Sequence, residues 1–105
     1  MRSAPDGRAL LWRMEEARRQ TQHQLDLIDR QIIRRMTAVI PHLQPRRNAY
    51  RRGKPPEAGA FLARYRANLA AITAERQQEI DALSRKLVRQ DRAIAHMRER
   101  HGASS

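Results

Sequence analysis

The stretch Leu25-Asp26-Leu27-Ile28-Asp29-Arg30-Gln31-Ile32-Ile33-Arg34-Arg35-Met36 sets Leu25, Ile28, Ile32 and Met36 at steps of three and four. That spacing returns an apolar side chain to one side of an α-helix at every turn, whereas a half-buried strand needs alternation. The series continues outward in both directions. It reaches back through Thr21, Ala17 and Met14 to Leu10, and forward to Val39 and Leu43. Met14, Leu25 and Met36 recur every eleven residues, as do Ala17, Ile28 and Val39. An eleven-residue period keeps such a stripe nearly straight along the helix. Asp6 is placed to accept the first free backbone N–H groups. Pro41 disfavours helical backbone at Ile40 and removes a donor. The reading is a polar tail over 1–6 and a first helix over 7–40, with Leu43 in step with the stripe but beyond the proline.

A second series runs through Ala58, Leu62, Tyr65, Leu69, Ile72, Arg76, Ile80, Leu83, Leu87, Gln90, Ile94 and Met97, again at steps of three and four. It predicts a second helix over 57–101. Pro56 suits a first helical position, and Glu57 complements the positive end of the helix. Gly102 suits the left-handed residue that closes many helices, leaving a tail over 102–105. Between the helices lies a loop over 41–56 with Pro41, Pro45, Gly53, Pro55 and Pro56. The expected fold is therefore all-α and a single domain: two long antiparallel helices, a helical hairpin or coiled coil, joined by a basic Pro/Arg-rich loop. Folding back on itself would set Val39 against Leu62, Met36 against Tyr65, Ile32 against Leu69 and Ile28 against Ile72. Thr21 would then meet Ile80, Ala17 meet Leu83 and Met14 meet Leu87. At about 1.5 Å per residue the helices are roughly 50 and 70 Å long, so Ile94 and Met97 would overhang.

The composition fits that plan. Of 105 residues only 40% are hydrophobic and 4% aromatic, while 31% are charged, a mixture suited to helices with one buried stripe and solvated flanks. The net charge is +11, and 20 of the 22 basic residues are arginine. Such an excess favours polyanions or acidic proteins, and arginine can fork onto phosphate or carboxylate. Residues 41–57 hold five basic groups and one acidic group, the densest charge in the chain. Their core, Arg46-Arg47-Asn48-Ala49-Tyr50-Arg51-Arg52-Gly53-Lys54, is the candidate binding segment. Arg46, Arg47, Arg51, Arg52 and Lys54 can grip phosphates or an acidic surface, and Tyr50 can stack on a base. A plain solvated turn is the bland alternative.

The candidate helix interface comprises Leu11, Trp12, Met14, Leu25, Ile28, Ile32, Ile33, Met36 and Val39 on the first helix. On the second it comprises Leu62, Tyr65, Leu69, Ile72, Ile80, Leu83, Leu87, Ile94 and Met97. Leu11, Trp12, Leu27, Ile33 and Ile40 lie beyond the narrow seam that one partner helix needs. This surplus predicts a further contact, either with a second copy in a homodimeric four-helix bundle or with a helix of another protein. The lone Trp12 is a natural anchor for it. Arg76 and Gln90 interrupt the second stripe, where polar residues commonly fix register at a cost in stability.

Several classes of chemistry find no support. Without cysteine the chain has neither disulfide nor thiolate chemistry. His23, His42, His96 and His101 lack metal-ligand spacing, so no metal and no cofactor is expected. Asp26 and Asp29 read as partners of Arg30 and Arg34. No nucleophile–base set or glycine-rich phosphate loop is present, and no small-molecule substrate is expected. No stretch approaches the roughly 18 apolar residues that span a membrane, and the start of the chain has no apolar signal run. The expected location is the cytoplasm.

Two resemblances bear on function. Leu25-Asp26-Leu27-Ile28-Asp29-Arg30-Gln31-Ile32-Ile33 resembles the first-helix pattern of the all-helical chorismate mutases, over about a tenth of the chain. Where that family places arginines for the substrate carboxylates, this chain has Gln22 and Val39, and the later acid–arginine–glutamate run is absent, so no site carries over. The plan of two basic antiparallel helices is similar to the stalk proteins of flagellar and type III export ATPases, in architecture only. The functional expectation is a non-enzymatic coiled-coil adaptor or assembly factor. It would bind protein partners through helix stripes and the arginine-rich loop. The alternative is a nucleic-acid-binding accessory protein gripping backbone phosphates through that loop.

Overall fold

The computed structural model describes residues 7–43 and 58–104. Every described residue is helical except Arg76, and no strand occurs among them. Helix α1 spans Gly7–Leu43, α2 spans Ala58–Glu75 and α3 spans Gln77–Ser104. The chain is all-α, as the three-and-four spacing predicts. It divides into two compact units, one of residues 1–27 with 79–105 and one of residues 28–78.

Three expectations about the helices need correction. The first helix does not stop at residue 40 but passes through Pro41 to Leu43. A proline this near a C-terminus costs only the bond its missing N–H would have made to Thr37, and few bonds follow it. What the extension gains is visible. Leu43 is buried, and its carbonyl oxygen accepts a hydrogen bond from Arg64 Nη2 at 3.0 Å. The second helix is two helices. At Arg76 the backbone N–H bonds to the Thr73 carbonyl three residues back, at 3.0 Å, a tighter turn than the α-helical one. The Arg76 side chain reaches Gln31 Oε1 with Nη1 at 2.6 Å, so the polar interruption of the stripe has a partner on α1. Gly102 keeps helical backbone and α3 continues to Ser104. The expected tail 1–6, residues 44–56 of the expected loop 41–56 and the cap residues Asp6, Pro56 and Glu57 lie outside the described residues.

In the unit of residues 28–78, the buried side chains are Ile28, Ile32, Met36 and Leu43 from α1 and Ile72 from α2. Val39, Ile40, Tyr65 and Leu69 are half-buried around them. Phe61 and Tyr65 stack with ring centroids 6.4 Å apart. In the unit of residues 1–27 and 79–105, Thr21 and Ile94 are buried. Leu11, Met14, Leu25, Ile80, Leu83, Leu87 and Met97 are half-buried. The Thr21 hydroxyl is satisfied locally, donating to the Ala17 carbonyl at 3.2 Å.

Cross-helix contacts fix direction and register in each unit separately. In the unit of residues 28–78, Arg35 pairs with Glu75, Gln31 with Arg76, and Leu43 with Arg64. In the other, Arg18 Nε meets Asp91 Oδ1 at 2.6 Å, Arg98 Nη2 meets Glu15 Oε2 at 2.9 Å, and the His101 ring lies over Gly7. Numbers rise along α1 as they fall along its neighbour, so each pairing is antiparallel. The register differs from the expected one. Arg18 comes level with Asp91 rather than with residues 82–83, Gln31 with Arg76 rather than with Ala70, and Arg35 with Glu75 rather than with Arg66, displacements of six to nine residues. Seven residues are about two helical turns, after which the stripe presents the same pattern, so spacing alone permits both registers. The displacement brings Ile94 under cover instead of leaving it overhanging. It also takes Leu62 away from Val39, and Leu62 is exposed.

Candidate interaction surface

The ion pairs that set register lie at the seam edges. The Arg18–Asp91 and Arg35–Glu75 pairs are largely solvent-accessible, as is Arg19 with Glu16 at 2.6 Å. The hydrogen bond and charge of Arg35 hold the Glu75 carboxyl below the ordinary glutamate range, and Glu75 in turn raises Arg35. Hydrogen bonds from Arg19 and then Gln20, with the Arg19 charge, lower Glu16 in the same way. A depressed carboxyl contributes its stabilisation fully above its unfolded-state pKa and loses it as pH falls through the folded-state value. These groups are exposed, so the contribution is small and screened by salt.

What remains uncovered is the more informative part. Trp12 is 62% exposed, Ile33 56% and Val88 48%, with Leu10, Leu27 and Leu62 also exposed. Of the residues expected to form interfaces, Ile28, Ile32, Met36, Ile72 and Ile94 are buried within their own units. Trp12, Ile33 and Leu62 face solvent instead. The basic residues Arg46, Arg47, Arg51, Arg52 and Lys54, with Tyr50, lie outside the described residues.

Sequence reasoning missed Val88 and the arginines beside it. A depression of about 350 Å³ on α3 is lined by Ser84, Arg85, Val88, Arg89 and Arg92. The signal was present as basic residues at 85, 89 and 92, the i, i+4, i+7 spacing of one helix face. A larger depression of about 470 Å³ lies over the α1–α3 seam, but its rim is the Arg18–Asp91 and Glu15–Arg98 pairs, already matched in charge. Among the described residues no three His, Asp or Glu side chains converge as a metal site would require. No described helix is long and apolar enough to cross a membrane. No family model, curated protein or solved structure matches the chain.

Proposed function

We propose that the chain is a non-enzymatic adaptor or assembly factor, a helical hairpin of the cytoplasm that binds other proteins through apolar residues left uncovered on its helices. The observation carrying this reading is the exposure of Trp12, Ile33 and Val88 on helices that bury Ile28, Ile32, Met36, Ile72 and Ile94 elsewhere. Exposed tryptophan and arginine are side chains that protein interfaces enrich. The arginine-rich segment around Arg46–Lys54 adds a cationic contact that steers an acidic partner. Replacing Arg46, Arg47, Arg51 and Arg52 with alanine is expected to slow partner capture in a pull-down and flatten its dependence on salt. An unchanged partner set removes that segment from the mechanism.

One observation favours a second reading, a nucleic-acid accessory role. Two arginine pairs bracket Tyr50, joining phosphate grip to a stacking ring. Titration with duplex and single-stranded DNA across a salt series separates the two. The adaptor reading expects no binding near physiological salt, and tight binding with a steep salt slope would replace it.

A further inference from the structure

The outer face of α3 carries charge that no described carboxylate neutralises. Arg18, Arg19, Arg35 and Arg98 each have a carboxylate within reach. Among the described residues none reaches Arg85, Arg89 or Arg92, and all three are exposed. Between them sits Val88, 48% exposed, in the depression that Ser84 also lines. Arg85 and Arg92 are one heptad apart, about 10.5 Å along the axis. Val88 falls three residues after the first and four before the second, the place of a seam residue flanked by charged edge positions.

We infer that this face, Arg85, Val88, Arg89 and Arg92, is a docking site for an acidic amphipathic helix of another protein. Its carboxylates, one heptad apart, would meet Arg85 and Arg92, and an apolar side chain would sit on Val88. Two features select that occupant. An apolar floor, built from Val88 and the methylene stems of the arginines, has nothing to offer a phosphate backbone but covers well under a Leu or Ile. A second copy of the chain would bring another eleven positive charges, which opposes self-association. The inference rests on the protein-partner reading above but uses a different surface from the loop.

The test is fluorescence anisotropy with a labelled synthetic helical peptide carrying one leucine per heptad between glutamates, at physiological salt. The peptide is expected to bind. The triple variant Arg85→Gln, Arg89→Gln, Arg92→Gln is expected to weaken it by roughly tenfold, and Val88→Ser by roughly threefold. Removing equal charge elsewhere, by Arg13→Gln, Arg30→Gln and Arg34→Gln, is expected to change it less than about twofold once long-range attraction is screened. Alanine in place of the loop arginines is expected to leave it equally unaffected, so the loop's role and this face fail separately. Circular dichroism on each variant confirms that these exposed changes leave the helices folded. Equal losses in both glutamine triples would reduce the effect to bulk charge and overturn the inference. So would displacement of the peptide by duplex DNA combined with indifference to Val88→Ser, or a chain that sediments as a dimer with this face closed.

Discussion

Met36→Asp is expected to unfold the unit of residues 28–78. Among the described residues Met36 is the most buried apolar side chain, at 3% exposure, and it shares the seam with Ile28, Ile32, Leu43 and Ile72. A carboxylate there would lose its hydration with no cation turned inward. Neighbouring Arg35 is exposed and engaged with Glu75. Burying an unpaired carboxylate costs several kcal/mol, or forces the group to take up a proton. Ordinary domains hold only about 5–15 kcal/mol in total, so a penalty of that size removes a large share of it. Met36→Leu keeps volume and polarity and is expected to cost less than about 1.5 kcal/mol. Far-UV circular dichroism with urea titration checks both. Similar midpoints for the two variants would mean that Met36 is not in a closed seam.

Gln90→Leu carries the opposite sign. Gln90 occupies the stripe of α3 between Leu87 and Ile94, and its Oε1 is buried without a hydrogen-bond partner. An orphaned buried acceptor costs about 1–3 kcal/mol, whereas an apolar residue of similar size removes the cost and adds burial. The substitution is expected to stabilise the chain by about 1–2 kcal/mol, read as a rise in Tm of several degrees at about 4–8 °C per kcal/mol. Thr21 makes a useful contrast. It is the most buried side chain among the described residues, yet its hydroxyl already has the Ala17 carbonyl, so Thr21→Val is expected to do little. A loss of stability in Gln90→Leu would contradict the reading of Gln90 as a strained register residue.

The helical class and most of the buried set were legible in the sequence because spacing of three and four encodes which side of a helix is covered. Ile28, Ile32, Met36, Ile72 and Ile94 follow from it directly. The register was not legible, for a physical reason. A stripe that repeats every heptad looks the same after a two-turn slip, and the choice rests on side chains outside the stripe, such as Arg18 with Asp91 and Arg98 with Glu15. The same ambiguity misplaces Leu62 and leaves Ile94 and Met97 overhanging in the expected register. Pro41 marks an end at residue 40 only by a rule that concerns backbone alone. The burial of Leu43 and the Arg64 contact to its carbonyl come from a neighbouring helix and leave no local mark. The break at Arg76 is of the same kind. Its stripe position was visible, but its reach to Gln31 depends on the register that spacing could not choose. The basic face of α3 was readable as spacing, yet its meaning depends on knowing which arginines find carboxylates.

The antiparallel register of α1 with α3 is the foundation for both the seam and the outward arginine face. Because the chain has no cysteine, spin labels can be placed at will. The exposed Arg18–Asp91 pair can be spent on labels at a cost of no more than about 1 kcal/mol. Double electron–electron resonance on Arg18→Cys with Asp91→Cys, compared with Arg18→Cys with Ser84→Cys, measures the register directly. The account predicts the shorter and narrower distance for 18 with 91, since 84 lies about two turns further along the axis. A shorter distance for 18 with 84, or broad and equal distributions for both, would contradict it.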